Sequence, residues 1–138
     1  MALVLLDTGP LVAWLDRRER MHPRCVEFLL TFRERFVTTV PVVTEAMYLL
    51  NDQVRFQRAC YELLLRLEVE IASSSAVLFA RAMQLMEQYA SVPMDFADAT
   101  LVALAEERRL ARICTLDHRG FSVYRMRGKE CFTMLPGK

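Results

Sequence analysis

Short apolar runs alternate along this chain with longer stretches of helical periodicity. Residues 2–6 form a continuous apolar run, of the kind that fits a strand buried on both faces. The run ends at Asp7, and Thr8-Gly9-Pro10 turns the chain into a helix expected from about Leu11, with Pro10 suited to its first turn. The pattern then predicts an amphipathic helix over 23–35, a strand rich in β-branched residues over 36–40, and a helix from Pro41 to about Leu50. Helices over 54–67 and 76–89 follow, separated by an apolar segment at 69–72 that reads as an edge strand. A helix over 95–109, a strand over 112–116 and a closing strand over 132–135 complete the series. Strands alternating with helices predict an α/β fold with a mostly parallel sheet covered on both faces. Ligands of such sheets sit beyond the carboxyl ends of the strands, so the chemistry is sought there.

Composition narrows the picture. No repeat, low-complexity tract or linker interrupts the 138 residues, and residues 1–138 are read as one domain. An apolar fraction of 54% with 25% charged residues excludes disorder. The formal net charge is +1, so any nucleic-acid contact has to come from local patches. Cys25, Cys60, Cys114 and Cys131 are scattered, which argues against structural zinc. The apolar runs are too short to span a bilayer and no basic region precedes the first of them, so a cytoplasmic protein without membrane contact is expected.

Several acidic residues fit poorly into this pattern. Glu45 has Pro41, Val42, Tyr48 and Leu49 as its neighbours three and four positions away on a helix, and no cation within reach. Asp7 stands at the end of the first strand, where a helix cap is the ordinary role and Thr8 can share it. Asp95 and Asp98 open a helix on one face; Asp95 suits a cap, whereas the face of Asp98 continues through Leu101, Val102 and Ala105 and so turns inward. Asp117 follows an apolar run and starts a loop, an ordinary place for a turn-forming aspartate. Taken singly, each has a local explanation. Taken together, they fall along one rim of a parallel sheet, where independent caps have no reason to gather. Clusters of oxygen donors alone suit Mg²⁺ or Mn²⁺. His22 and His118 lack metal-ligand spacing and are expected at the surface.

The same blocks resemble the PIN domain and, within it, the VapC-like toxin ribonucleases of bacterial and archaeal toxin–antitoxin pairs. The resemblance covers nearly the whole chain. It rests on Leu5-Leu6-Asp7-Thr8-Gly9-Pro10-Leu11, Val43-Thr44-Glu45, Asp95-Phe96-Ala97-Asp98-Ala99 and Thr115-Leu116-Asp117 followed by Phe121, in that order and spacing. It implies a three-layer α/β/α sandwich and a Mg²⁺- or Mn²⁺-dependent endoribonuclease. By this resemblance Asp7, Glu45, Asp98 and Asp117 are the catalytic, metal-binding quartet. Asp95 is a fifth metal-binding carboxylate whose division of labour with Asp98 is open, and Thr8 and Thr115 support the site. Gly9-Pro10 departs from the Ser-Ala type of pair common there, a change that a helix start tolerates. The implied chemistry is metal-assisted hydrolysis of a phosphodiester in single-stranded or looped RNA. The implied partners are a second copy of the chain and a cognate antitoxin lying across hydrophobic grooves and the active site. The alternatives are a PIN-domain RNA-processing nuclease outside such a pair and a non-catalytic RNA-binding domain.

Arginine supplies nearly all of the cationic charge. Arg17, Arg18, Arg20 and Arg24 follow the first acidic block and Arg119, Arg125 and Arg127 the last, so both groups are candidates for phosphate contacts. Asp7-Thr8-Gly9 also matches the aspartic-protease signature, but the helix that follows excludes the mostly β scaffold such an enzyme needs. A doubly wound phosphatase would want an aspartate where Gly9 stands, and a receiver domain a lysine better placed than Lys129.

Overall fold

The computed structural model describes residues 2–51 and 53–137. Its strands are β1 (Leu3–Leu6), β2 (Arg35–Thr39), β3 (Glu70–Ala72), β4 (Arg112–Cys114) and β5 (Thr133–Leu135), in spatial order β3-β2-β1-β4-β5. Every pairing is parallel, with Leu3 opposite Arg35 and Leu5 opposite Ile113. Helices α1 (Thr8–Leu15), α2 (His22–Thr31), α3 (Val40–Leu49) and α4 (Val54–Arg66) precede β3. Helices α5 (Ala76–Gln88), α6 (Phe96–Arg108) and the single turn α7 (His118–Phe121) follow it.

The alternation within β1 shows why the sheet is a middle layer. Val4 and Leu6 pack with Leu11, Leu29, Ala46 and Leu63 from the first four helices, while Leu5 packs with Leu85, Leu101 and Leu104 from α5 and α6. All three strand residues are fully buried, each contributing about 1.5–3 kcal/mol relative to exposure. The result is a three-layer α/β/α sandwich with the carboxyl ends of all five strands on one edge.

The amino-end edge is held by opposite charges. Arg112 at the start of β4 grips Glu34, just before β2, with both terminal nitrogens. Arg108 at the end of α6 does the same to Glu70 at the start of β3. On the α5/α6 side, the buried Glu106 receives Arg81 through two hydrogen bonds of 2.7 and 3.0 Å.

Element boundaries depart from the sequence pattern where the tertiary structure intervenes. The helix expected over 23–35 stops at Thr31, because the following residues must reach the register that sets Arg35 beside Leu3. Phe32 marks that turn, its ring lying 4.9 Å from Phe28 and 4.8 Å from Phe36. Helix α1 starts at Thr8 rather than Leu11, since Asp7 caps it directly and Pro10 sits where its missing N–H costs nothing. Strand β2 ends at Thr39, one residue early, because Thr39 caps α3, and β4 ends at Cys114, two residues early, where Thr115 turns its hydroxyl to Asp7. The loop expected after Asp117 contains α7, which that aspartate caps.

Candidate active site

Asp7 is held at both carboxylate oxygens. Oδ1 accepts the Thr8 N–H at 2.8 Å and Oδ2 the Thr115 hydroxyl at 2.7 Å, and its side chain is only 5% exposed. Burial pushes its pKa up to about 6; the bonds from Thr115 and Thr8 oppose the rise, and the charges of Asp117 and Asp95 add to it. Thr115 links two acids at once, because its oxygen also accepts the Asp117 N–H at 2.9 Å.

Asp95 and Asp98 form a reciprocal cap at the start of α6. Asp95 Oδ1 accepts the Asp98 N–H at 2.8 Å, and Asp98 Oδ2 faces the Asp95 N–H at 3.4 Å. The cap thus accounts for Asp98 as well as Asp95, contrary to the sequence expectation that it explains only the first. It does not account for the cost of the location. Asp98 is 8% exposed, and burial together with the charges of Asp7 and Asp95 pushes its pKa up to about 8.

Glu45, half-buried on α3, completes the group. Burial raises its pKa, a hydrogen bond from Thr8 opposes the rise, and contact with Asp95 and the charge of Asp7 add to it. Thr8 also donates to the Val42 carbonyl at 3.3 Å, so one hydroxyl ties α1 to the helix carrying Glu45. Asp117 is exposed; its Oδ1 accepts the Gly120 N–H at 3.0 Å. The five carboxylates named from the sequence therefore lie on one edge, and Thr8 and Thr115 touch them.

Two features have no signature in the sequence. Tyr124, 1% exposed, brings its hydroxyl to 3.5 Å from Asp98 Oδ2. Thr39 and Thr100 share a buried hydrogen bond of 2.8 Å that joins the start of α3 to α6, and hence the Glu45 helix to the Asp98 helix. A tyrosine three residues after Phe121 reads as an ordinary core aromatic, and Thr100 as one more residue of a buried helix.

The arginine groups divide. Arg17, Arg20, Arg24, Arg119 and Arg127 are exposed, and Arg18 pairs with Asp16. Arg125 instead spends its guanidinium on the carbonyls of Ser122, Val123 and Tyr124, which makes it a brace for that turn. His118 is exposed as expected; His22 is half-buried, with Nδ1 2.7 Å from the Ala13 carbonyl oxygen.

Among the described residues, no three of His, Cys, Asp and Glu stand close enough to form a ready-made cage around one ion. The arrangement is an open rim of hard oxygen donors in which the charges of Asp95 and Asp117 raise the proton affinity of Asp7 and, with Asp7, that of Asp98. Such a rim fits a small divalent cation that keeps several waters and takes one or two carboxylates; a zinc site would want His or Cys.

Comparison with known proteins identifies the fold and the family. The chain is 30% identical to Ribonuclease VapC26 of Mycobacterium tuberculosis over 96% of its own length and 100% of that protein's. The solved structure of M. tuberculosis VapC20, a sarcin-ricin loop cleaving toxin, superposes with a TM-score of 0.76 at 19% identity, covering 85% of this chain and 91% of that one. A toxin–antitoxin complex from Klebsiella pneumoniae gives 0.62 at 20% identity, covering 87% and 91%. VapBC-1 from nontypeable Haemophilus influenzae gives 0.64 at 15% identity, covering 96% and 98%. At these identities the structures attest the fold, and the PIN-domain family profile matches residues 4–126, so the chain belongs to the PIN-domain family.

Proposed function

We propose that this chain is a divalent-metal-dependent endoribonuclease and the toxin of a VapBC-type toxin–antitoxin pair. The observation that carries the reading is the pair of buried carboxylates, Asp7 and Asp98, held on one rim although burial raises the pKa of both and the charge of Asp7 raises that of Asp98 further. A fold keeps such a costly arrangement where a cation is to be met. Full-length similarity to Ribonuclease VapC26 supports the reaction class, and the likeness to a toxin–antitoxin complex and to VapBC-1 supports an antitoxin partner.

Asp7, Glu45, Asp95, Asp98 and Asp117 are the carboxylates that would hold one or two ions, some directly and the others through water, with Mg²⁺ or Mn²⁺ favoured by the all-oxygen donor set. When bound, the ion supplies a water of lowered pKa and neutralises charge on the attacked phosphate. The protein's own part is placement. Thr115 and the Thr8 N–H fix both oxygens of Asp7, Asp95 fixes Asp98 through the helix cap, and Thr8 steadies Glu45. Near neutral pH the metal-free rim keeps a proton on Asp98, and binding of a cation must release it.

The substrate is RNA presented with a splayed backbone, since an open rim can receive it. Exposed Arg119 and Arg127 beyond β4 and Arg17, Arg20 and Arg24 after β1 are the phosphate contacts. The antitoxin has a groove of about 720 Å³ available, lined by Trp14, Val26, Leu49 and Phe56 and sharing no residue with the acidic rim. No described helix is long and apolar enough to cross a membrane. We place the protein in the cytoplasm as a homodimer of a single domain spanning residues 1–138.

The test is cleavage of a structured RNA pool with Mg²⁺, Mn²⁺ or EDTA by wild type and Asp7→Asn. Metal-dependent cutting should fall at least about a hundredfold in the variant, the scale for losing one electrostatic contact of a reaction centre. Full activity in Asp7→Asn would exclude this site. Growth arrest on expression, lost in the variant, separates a toxin from an RNA-processing nuclease, and RNA binding without cutting would identify a non-catalytic domain.

A further inference from the structure

Tyr124 reaches the acidic rim from the core. Its ring meets Tyr89 and Phe121 edge-on, with centroids 5.2 and 5.1 Å apart. A phenol buried to this depth needs a partner for its hydroxyl, and the partner is Asp98 Oδ2 at 3.5 Å, a long contact. Space-filling alone would be met by phenylalanine, which occupies positions 121 and 132 of the same cluster.

The backbone on either side of Tyr124 is anchored by groups outside the rim. The Tyr89 hydroxyl accepts the Arg125 N–H at 2.9 Å. Glu106, clamped by Arg81, accepts the Arg127 N–H at 2.6 Å. The Tyr124 N–H itself goes to the Gly120 carbonyl at 3.0 Å. Gly120 also clears the approach: a Cβ there would stand 3.0 Å from the Tyr124 hydroxyl and 2.5 Å from Asp117 Oδ2. The hydroxyl is thus delivered by a rigid frame to a point beside both Asp98 and Asp117.

We propose that Tyr124 is a positioning residue of the rim, its hydroxyl donating to Oδ2 of Asp98 and so fixing which oxygen of that carboxylate is free to meet a cation. The proposal rests on the reading of the rim as a divalent-cation site. Asp98 Oδ2 is then held by two donors, the phenol and the Asp95 N–H, and Oδ1 is the oxygen left to the ion. Partners of this kind set metal affinity by orienting the ligand, without touching the metal.

Direct Mn²⁺ binding, followed by water-proton relaxation without RNA, compares wild type, Tyr124→Phe and Asp98→Asn. Tyr124→Phe should bind Mn²⁺ about tenfold more weakly. Its cleavage rate should recover at high Mn²⁺, so that the loss appears in the half-saturating concentration and not in the plateau. Wild-type Mn²⁺ affinity in a folded Tyr124→Phe overturns the proposal while leaving the cation site intact. A wild type that binds no Mn²⁺, or an Asp98→Asn that binds it equally well, overturns the underlying reading and the proposal with it. Should Tyr124→Phe fail to fold, 3-fluorotyrosine placed at position 124 alone gives a second readout. Its ¹⁹F resonance should move on Mg²⁺ addition, and a resonance indifferent to saturating Mg²⁺ overturns the proposal.

Discussion

Replacing Asp98 by asparagine should stabilise the metal-free protein while destroying its metal response. Burial of the carboxyl, with the charges of Asp7 and Asp95 beside it, raises its pKa from an ordinary 3.8 to about 8. The folded chain therefore holds a proton between these values that the unfolded chain has released. The stability contributed by the neutral form is fully present below about pH 4 and is lost as pH rises through about 8. Each unit of such a shift corresponds to about 1.4 kcal/mol, which makes the full cost of ionising Asp98 roughly 5–6 kcal/mol. Asparagine removes the charge and keeps an oxygen for the Asp95 N–H, but it still buries a polar amide. A net gain of about 2–3 kcal/mol at pH 8 is expected after that cost. For a chain of this size the gain is a rise in Tm of about 10 °C. The assay is denaturant and thermal unfolding in EDTA at pH 5, 6, 7 and 8. The variant should be the less stable of the two by about 1 kcal/mol at pH 5, match wild type near pH 6 and gain steadily above it. A gain of the same size at every pH would mean better packing instead of relieved charge. No gain at pH 8 would refute the account of Asp98 altogether.

The remaining predictions concern the same rim. Thr115→Val removes the donor to Asp7 and the acceptor of the Asp117 N–H, so unfolding experiments should show a loss of about 2–3 kcal/mol. Because the Thr115 bond lowers the Asp7 pKa, the variant's half-saturating Mg²⁺ at pH 7 should rise and recover toward pH 8. Gly120→Ala should cost about 1–3 kcal/mol in unfolding experiments, since the new methyl displaces the Asp117 carboxylate that caps α7 and crowds the buried Tyr124 hydroxyl, and it should cut cleavage sharply. Wild-type cleavage in that variant would remove Asp117 from the site. In wild type, Mn²⁺ affinity should strengthen from pH 6 to 8, approaching tenfold per unit for each proton displaced, as Asp7 and Asp98 lose theirs. A flat pH dependence in a calorimetric titration contradicts the raised pKa values.

The sheet was legible from sequence because its signal is local: the run 2–6 is apolar on both faces, and Val4, Leu5 and Leu6 do split between the two helical layers. Boundaries failed where a distant residue decides them. Arg35 is amphipathic-helix material by pattern and becomes strand because Leu3 pairs with it. The acidic positions were visible as charges that the patterns did not want. Their supports were only half visible. Thr8 and Thr115 adjoin acids in sequence, whereas Tyr124 and the Thr39–Thr100 bond depend on contacts across 26 and 61 positions of the chain. No local rule marks a hydroxyl that matters only after the fold has formed.

The charges of this sandwich are sorted by edge: those at the amino ends of the strands, Glu34 and Glu70, each have an arginine, while the carboxyl-end acids face one another. A net charge of +1 conceals this polarity. An RNA backbone nearing the bare rim meets like charge, and one nearing a cation-loaded rim does not. Cation and RNA are then heterotropic ligands with favourable coupling: each should raise the other's affinity by the same factor. Measured binding of RNA to the inactive Asp7→Asn protein would underestimate that affinity if the substitution also weakens the cation's hold.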